Sequence, residues 1–374
     1  MNAAAKRFAS RWEVPAECAL QVRDELLIGL RHEWRAELTM ADLGTACWSP
    51  ITLGMLLLRS TGVDMTPLPD DVQSIIRSNS PQHRVELRGS NESLPRGVVC
   101  FDGRCMYLGC CDNLGLARGR ARRSAAFEGK DRGKARVRFE VPVRWQGVGI
   151  LPVKRPGGVG WHFPETGTWE TWADLQEVRM AQKAGWEVEV LDCLLWEAGG
   201  PLDEWAKRLE RRYLSYKTLS SPISEYIASC IRAIALHAIG AMHAPYRQRE
   251  VVEVMPDSPL ATIENVVGVT GGGVTVERWN EKAREIDCYH PEWTTSIWSR
   301  ARCKVLRALQ AFPAEAILGV RGDAIYLDGR FLVKGGGVPF PDDGACGRLR
   351  LAWADFNPRP RVRAWDDLLP AGVN

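Results

Sequence analysis

Two aspartates that are far apart in the sequence, Asp42 and Asp323, stand where two carboxylates could be brought together. We predict that a strand ends near Asp42 and that Asp323 lies in the bend of a hairpin around residues 321–326. Carboxylates on neighbouring strands can bridge two divalent cations about 4 Å apart, which activate an attacking hydroxyl and stabilise a leaving pyrophosphate. The pair predicts two catalytic metal ligands for Mg²⁺ or Mn²⁺ and a phosphoryl-transfer reaction.

Groups that could bind a nucleoside triphosphate accompany these aspartates. The backbone of Leu43 and Gly44 belongs to a predicted turn that could hold the phosphates. Arg232 lies on a predicted helix over residues 224–243, and Lys217 ends the basic helix before it. Cations on a facing helix would neutralise the triphosphate. Because an aspartate at a turn is usually only a turn residue, the prediction depends on the three segments together.

Positive charge is concentrated in one segment. Residues 118–138 contain nine Lys or Arg and two acids, whereas the formal net charge of the whole chain is +3. We predict a flexible arm that contacts nucleic-acid phosphates, with a solvated loop as the alternative. The predicted contacts are Arg118, Arg120, Arg122, Arg123, Lys130, Arg132 and Lys134.

The remaining composition narrows the class of protein. The chain has 374 residues, of which 45% are hydrophobic and 25% are charged, which is typical of a folded protein of two or three units. No apolar run reaches the roughly 20 residues needed to cross a bilayer, so we predict no membrane association. Eleven scattered cysteines indicate reduced thiols in a cytoplasmic setting. Cys100, Cys105, Cys110 and Cys111 could bind zinc, but their spacing favours ordinary thiols.

Helices and strands alternate irregularly along the chain, which predicts an α/β (α+β) fold with an antiparallel sheet. Helical periodicity is clearest over residues 202–217, 224–243 and 294–312. The Gly-rich stretches 268–273 and 335–337 are not followed by Lys and Ser or Thr, so we predict turns there and no phosphate-binding loop.

The order of these segments resembles family B DNA polymerases, and particularly the protein-primed type of phages and linear plasmids. The family motif Asp-x-x-Ser-Leu-Tyr-Pro is matched by Asp42, with Thr45 at the Ser position. Arg232 and Gly240 match the ends of Lys-x-x-x-Asn-Ser-x-Tyr-Gly. The Asp-Thr-Asp-Ser motif is similar to residues 321–324. The resemblance covers roughly residues 20–335 and implies a right-hand polymerase with a palm and helical fingers.

The chain also departs from these motifs. Arg321 replaces the first aspartate of the third motif, which would place a cation near the metals. The family's Tyr that blocks a ribose 2′-hydroxyl corresponds to Cys47, which implies a nucleotide-binding position with loose sugar discrimination. Leu236, His237 and Ile239 replace the Asn, Ser and Tyr of the fingers motif.

The resemblance divides the chain into six parts. It leaves no room for a proofreading exonuclease and only a reduced thumb. The parts are 1–65 (palm with the first motif), 66–140 (insertion with the basic arm), 141–200 (second palm part), 201–250 (fingers), 251–335 (third palm part) and 336–374 (residual thumb or irregular tail).

Two functions stay open. One is a template-directed nucleotidyltransferase that extends a 3′-hydroxyl without proofreading and binds DNA primer-template and nucleoside triphosphates. The alternative is a catalytically impaired polymerase-fold protein that serves as a nucleic-acid-binding or structural subunit of a phage or plasmid replication or virion complex. Either function places the protein in the cytoplasm of a bacterial host or in a virion, with separate replication or virion proteins as partners.

Overall fold

The structure is a computed structural model. It describes residues 3–82, 84–87, 97–115, 120–155, 160–243, 249–255, 258, 266–269, 273–279, 289–333, 340 and 344–355. Helices and antiparallel sheets are mixed within it, as the predicted α+β class requires. The helices are α1 (Ala3–Trp12), α2 (Ala19–Glu33), α3 (Met40–Ala46), α4 (Pro50–Arg59), α5 (Asp70–Ser78), α6 (Leu175–Lys183), α7 (Asp203–Lys217), α8 (Pro222–His243), α9 (Pro291–Leu309) and α10 (Gly329–Val333).

The strands form four antiparallel sheets. Their orders are β1-β12-β13-β2-β14, β3-β8-β4-β7, β10-β11-β9 and β5-β6. The strands are β1 (Val85–Leu87), β2 (Val98–Arg104), β3 (Arg122–Ser124), β4 (Arg132–Val141), β5 (Val153–Lys154), β6 (Trp161–His162), β7 (Gly167–Asp174), β8 (Glu187–Trp196), β9 (Arg249–Val254), β10 (Val266–Val269), β11 (Val274–Trp279), β12 (Ile317–Arg321), β13 (Ala324–Asp328) and β14 (Arg348–Asp355).

The region before the first sheet is helical, and α4 begins as its sequence predicts. The Ser49 side chain caps the helix by accepting a hydrogen bond from the Thr52 N–H at 3.3 Å. Pro50 occupies the first helical turn, where its missing N–H is not needed.

The helix α3 occupies the place of the strand that we predict before Asp42. The Asp42 carboxylate accepts a hydrogen bond from the Thr39 N–H at 2.8 Å, and the Thr39 hydroxyl accepts one from the Asp42 N–H at 3.2 Å. This reciprocal pair is a capping box, which satisfies two N–H groups that a helix start leaves unpaired. The prediction of a strand ending at Asp42 is therefore wrong.

The helix pair α7 and α8 packs against the first helices. Ten residues of α8 are buried, and the helix contacts α2, α4, α7 and α9. Its length and apolar composition would also allow it to cross a membrane, but these contacts account for its apolar side chains by burial in the protein. Trp205 of α7 donates a hydrogen bond to the Gly54 carbonyl of α4 at 3.2 Å.

One face of the five-stranded sheet belongs to the main core. Val99 and Phe101 of β2 pack there with Ile325 and Leu327 of β13, and α9 contacts β13. Residues that lie between these on the strands point to the opposite face, because successive side chains of a strand alternate. Asp102 lies on the opposite face, near the end of β2 where the candidate site is formed.

Candidate functional site

Two carboxylates meet at one end of the five-stranded sheet. Asp102 lies near the end of β2, and Asp323 lies in the turn that joins β12 to β13, the strand that pairs with β2. Gly103 allows a close approach, since a Cβ atom at this residue would lie 2.5 Å from Asp323 Oδ2. The missing side chain therefore lets the Asp323 carboxylate lie directly against β2, one residue from Asp102.

The electrostatics of Asp323 reflect this neighbour. Burial raises the pKa of Asp323 to about 6, and the nearby Asp102 carboxylate adds to the rise. Arg232 on α8 acts in the opposite direction by stabilising the ionised form. The pKa of Asp323 therefore depends on the charges of one carboxylate on β2 and one guanidinium on α8. A divalent cation would remove the repulsion between the two acids.

The turn that carries Asp323 is held by local backbone geometry. Arg321 pairs with Ala324, which leaves Gly322 and Asp323 as a two-residue hairpin loop. Gly322 has a φ of 64°, a left-handed conformation that glycine adopts without a steric cost. Its N–H donates to the Arg84 carbonyl at 2.7 Å.

The residue that accepts this hydrogen bond is itself fixed. The Arg84 guanidinium is fully buried, donates to the Gly149 carbonyl at 2.7 Å, pairs with Glu86 and lies over the Phe163 ring. The turn of Asp323 is thus anchored to a buried cation whose donors are partnered.

A second turn follows Asp102 along the chain. Cys105 has a φ of 42°, which is uncommon for a residue other than glycine. Tyr107 is half-buried, and its hydroxyl would lie 3.8 Å from a Cβ atom at Gly322. Burial and the charge of Asp323 raise the pKa of Tyr107. The Tyr107 hydroxyl is therefore neutral and lies beside the carboxylate pair.

Two cations of α9 hold the end of this turn. Lys304 donates to the Gly109 carbonyl at 2.9 Å, and Arg300 donates to the carbonyls of Asp112 and Asn113. These carbonyls would otherwise lack partners where the short 3₁₀ turn ends. The segment after Asp102 is therefore tied to the helix that underlies the sheet.

Arginines surround Asp102 on the face of the sheet that points away from the core. In β14, Arg348 lies opposite Arg104 and Arg350 lies opposite Asp102. Directly opposite residues of an antiparallel pair share a face, and like charges in that position repel. We call Asp102, Arg104, Arg321, Arg348 and Arg350 the polar face. A pair of arginines facing each other indicates a surface suited to an anion.

Asp42 has no place in this arrangement. It lies on α3, is fully exposed, and its hydrogen bonds with Thr39 lower the pKa of its carboxyl. The carboxylate that acts on Asp323 is Asp102. Asp42 was predicted as the partner of Asp323 because a strand was expected to carry it, and the capping box removes that strand.

The other residues predicted around Asp42 are helical too. Leu43 is buried in the core, Gly44 lies within α3, and Cys47 is buried at its C-terminal end, where the thiol donates to the Gly44 carbonyl. Their backbone N–H groups serve the helix, as does that of Cys47, which donates to Leu43. The predicted turn for a triphosphate is therefore not formed here.

The two predicted phosphate-binding cations lie on different parts of the helix pair. Arg232 is exposed on α8 and acts on Asp323. Lys217 is exposed at the last residue of α7, beside the connection to Pro222, where α8 begins. Arg232 lies ten residues into α8 from that start, which corresponds to about 15 Å along the helix. The structure brings Arg232 to the carboxylates and leaves Lys217 at the far tip of the helix pair.

Arg321 is directed to a different group from the one we expected. It is exposed at the end of β12 and hydrogen-bonds Tyr326, whose pKa is raised chiefly by burial. The charged groups that act on Asp323 are Asp102 and Arg232. The expectation that Arg321 repels cations at Asp323 is thus not supported by these contacts.

The basic segment is not a flexible arm. Residues 122–124 and 132–138 lie in β3 and β4 of the four-stranded sheet, and Arg118 lies outside the described residues. Arg123 pairs with Asp192 at 3.0 Å and Arg122 with Asp131 at 3.8 Å. Acids of β8 and of the loop before β4 thus offset part of the charge.

The other predicted contacts in this segment differ in exposure. Lys134 is buried and donates to the Asn79 carbonyl at 2.7 Å, so it cannot reach a phosphate. Arg120 and Lys130 are exposed, and Arg132 is half-buried. Burial lowers the pKa of Lys134 to about 8.

The four cysteines of residues 100–111 are buried and unbridged. Burial raises the pKa of Cys100 to about 12 and that of Cys110 to about 11. Among the described residues, no group of three or more His, Cys, Asp or Glu side chains is placed to hold a metal ion. The four thiols are buried in the interior of the protein, and whether they bind zinc stays a prediction.

Comparison with solved structures gives this geometry a context. A crystal form of Phi29 DNA polymerase matches 84% of this chain and 55% of its own length, with a TM-score of 0.61 and 13% identity. The fold is polymerase-like. The same polymerase with primer-template DNA and incoming nucleotides gives a TM-score of 0.58 at 14% identity, covering 82% of this chain and 53% of that one. No family model and no curated protein sequence matches.

The similarity covers only part of each polymerase, and few residues are identical. The chain spans about half the length of the polymerases that it matches, and identities of 12–14% show the fold alone. The six-part division, the expected lack of an exonuclease and the expected reduced thumb stay predictions.

Asp102 was missed by the sequence analysis, although a signal was present. The strand-like run Val98–Phe101 ends at Asp102, and the family motif Asp-x-x-Ser-Leu-Tyr-Pro fits from there with Cys105 at the Ser position and Tyr107 at the Tyr position. A carboxylate that ends an apolar strand would have pointed to this residue. The motif was instead matched to the segment that begins at Asp42 and ends with Ser49 and Pro50.

Proposed function

We propose that this chain is a template-directed nucleotidyltransferase in which Asp102 and Asp323 are the catalytic carboxylates. The observation that carries the proposal is the position of Asp323 against β2 beside Asp102, where the charges of Asp102 and of Arg232 on α8 both act on the Asp323 carboxyl. Asp102 takes the role that the sequence analysis gave to Asp42. The polymerase-like fold supports this choice of reaction.

The carboxylate pair fits Mg²⁺ or Mn²⁺. Both ions favour oxygen ligands, and Mg²⁺ is commonly bound by one or two carboxylates together with substrate phosphates. Burial raises the pKa of Asp323, repulsion from Asp102 adds to the rise, and a cation would relieve that repulsion. When bound, such ions polarise the phosphoryl oxygens and favour the ionised form of the attacking hydroxyl.

The protein groups have separate roles in the proposed site. Arg232 binds the triphosphate and offsets its charge, which grows on the leaving group during transfer. Tyr107 packs beside the sugar and restricts space at its 2′ position, a role that the family resemblance gives to the Tyr of its first motif. Discrimination between sugars would then be tighter than the earlier assignment to Cys47 implies.

The polar face would bind the DNA backbone. Arg104 and Arg348 lie directly opposite each other, so two positive charges from distant parts of the sequence are close together on this face. Phosphate contacts of this kind position a duplex without reading its sequence. The proposed DNA contacts therefore move from the basic segment to Arg348 and Arg350 on β14.

Primer extension tests the proposal directly. Purified protein, primed DNA template, nucleoside triphosphates and Mg²⁺ or Mn²⁺ should give product, and Asp102→Ala or Asp323→Ala should reduce the rate by at least about 10²-fold. Asp42→Ala is the matched control, because it removes an exposed aspartate and should cost only about 1 kcal/mol of helix capping. Product that survives in the first two variants would contradict the assignment.

The catalytically impaired binding protein remains the second candidate. Its specific support is that the described residues offer two carboxylates and no third metal-ligating side chain at the site. In that case no product forms under any metal, while primer-template DNA still binds with an affinity that falls steeply with salt.

A further inference from the structure

Two thiols from distant parts of the sequence meet beside the carboxylate pair. Cys105 lies in the turn after Asp102, and Cys346 lies two residues before β14. The last pair of the β2–β14 ladder is Arg104 with Arg348, and beyond it the Gly347 N–H donates to the Arg104 carbonyl at 2.7 Å. This places Cys346 beside Cys105 where the ladder ends, and each of the two thiols is the largest influence on the pKa of the other.

The surroundings give the two thiols different roles. Hydrogen bonds from Cys346 and from the Tyr213 hydroxyl lower the pKa of Cys105, and the charges of Arg232 and Arg104 act in the same direction. The pKa of Cys346 is raised, chiefly by its hydrogen bond to Cys105. The thiolate is the nucleophile in disulfide chemistry. Cys105 is therefore the attacking sulfur, and Cys346 is the partner that resolves the product.

The remaining contacts keep the two sulfurs together. The Cys346 N–H donates to Glu210 of α7 at 3.3 Å, and Tyr213 lies one turn further along the same helix. A side chain at Gly109 could not fit, because its Cβ atom would lie 2.5 Å from the Gly347 nitrogen. The segment before β14 is thus packed tightly onto the turn that carries Cys105.

We propose that Cys105 and Cys346 form a reversible disulfide in response to a small-molecule disulfide such as oxidised glutathione. The Cys105 thiolate attacks one sulfur of the reagent, the reagent's S–S bond breaks, and one thiol leaves. The Cys346 sulfur then gives up its proton and attacks the Cys105 sulfur, and the second thiol leaves with that proton. The protein loses two electrons and two protons, which the reagent gains as two thiols.

The consequence for activity rests on the proposed function. Cys105 lies between Asp102 and Tyr107, so a covalent bond to Cys346 would shift the turn that positions both. A displacement of about 1 Å near reacting groups can cost about 10²-fold in rate. We therefore expect nucleotide incorporation to fall at least about tenfold on oxidation and to recover with dithiothreitol.

The first measurement does not depend on any activity. The reduced full-length protein is incubated with oxidised glutathione, blocked with iodoacetamide and analysed by intact mass and by non-reducing peptide mapping. We expect a product that carries two fewer carbamidomethyl groups than the reduced protein treated in the same way, and in which the peptides of Cys105 and Cys346 are joined. Cys346→Ser should instead retain a glutathione adduct on Cys105, and Cys110→Ser should behave as the unchanged protein does.

Three results would overturn the proposal. They are a disulfide that joins other cysteines, a glutathione adduct in the unchanged protein that never resolves, and complete resistance to the reagent under conditions that oxidise an unfolded control of the same chain. If the predicted disulfide forms but the reduced protein extends no primer, the redox site stands and the proposed function fails. If primer extension is active but equally sensitive to oxidation in Cys346→Ser, the link between this disulfide and activity fails.

Discussion

The four-stranded and five-stranded sheets both carry arginines that point away from the main core, but they differ in the residues opposite those arginines. The four-stranded sheet pairs its arginines with acids, whereas the five-stranded sheet places Arg350 opposite Asp102 and Arg348 opposite Arg104. On the four-stranded sheet, Arg136 pairs with Glu170 at 2.5 Å and Arg138 pairs with Glu189 at 2.9 Å. On the five-stranded sheet, Arg348 faces another arginine across the ladder. The arginines of the four-stranded sheet are close together in the sequence, and acids pair with them in the fold. The arginines of the five-stranded sheet come from distant segments and are brought together by the pairing of β2 with β14.

This difference shows why a run of charge is a weak guide to a binding surface. Exposed ion pairs contribute little stability, but they do use the charge that a phosphate would need. A surface that places arginines from distant segments directly opposite each other concentrates positive charge where a phosphate could bind. The five-stranded sheet is therefore the better candidate for nucleic acid.

The largest expected effect separates the two sheets by DNA binding. The double variant Arg348→Ala and Arg350→Ala should weaken primer-template binding by at least about tenfold and make the salt dependence shallower by about two in the slope of log K against log salt. The matched variant Arg136→Ala and Arg138→Ala removes the same charge from the four-stranded sheet and should change both quantities little. Fluorescence anisotropy at several salt concentrations measures them. The reverse ranking would restore the basic segment as the interface.

A second, smaller effect concerns the stability of the carboxylate pair without metal. The folded pKa of Asp323 is about 6, above its ordinary value of 3.8, so the native state binds more protons than the unfolded state between these values. Its contribution to stability therefore falls as pH rises from about 4 to 6 and stays low above that. Asp323→Asn should raise the free energy of unfolding at pH 8 by up to about 2 kcal/mol and change it little at pH 4.

Urea unfolding in the presence of a chelator checks this pH dependence. Asp102→Asn in an otherwise unchanged chain should reduce the difference, because one of the two causes of the raised pKa of Asp323 is removed. A gain that is equal at pH 4 and pH 8 would show that the pKa of Asp323 is not raised, and a difference that Asp102→Asn leaves unchanged would show that the two carboxylates do not interact.

The smallest expected effect lies on the four-stranded sheet. Glu170→Gln removes the acid that faces Arg136 and Arg138, and the stability should fall by no more than about 1 kcal/mol. The same variant frees positive charge on this sheet, so its DNA affinity should rise slightly at low salt. A large loss of stability would mean that the ion pairs are structural and that the sheets differ less than proposed.

Much of the helical framework could be predicted from the sequence. The periodicity over residues 202–217 and 224–243 predicts α7 and α8 to within two residues, and the Ser49-Pro50 start predicts α4. The hairpin that carries Asp323 is confirmed because its turn is a local property of Gly322. These features depend on neighbours in the sequence, which is why pattern analysis finds them.

The candidate site was harder to predict because it depends on register between distant segments. Arg348 and Arg104 are opposite each other only because β14 pairs with β2 in one particular alignment. Asp42 was predicted as a metal ligand because it matches a family motif. Thr39 and Asp42, however, have the spacing of a capping box, which indicates the start of a helix. The sequence shows the positive charge of the basic segment. The acids of β7 and β8 that pair with its arginines are brought there by strand pairing, which the sequence does not show.

The close packing around Gly103 limits which amino acids can replace it. It has no group that could bind a ligand or transfer a proton, yet any side chain there would meet Asp323 at 2.5 Å and Met106 at 2.7 Å. In a mutational scan, we expect tolerance at this position to be as low as at the two acids it separates. Selection for activity would then keep glycine at this position, because it has no side chain, as strictly as it keeps the two aspartates.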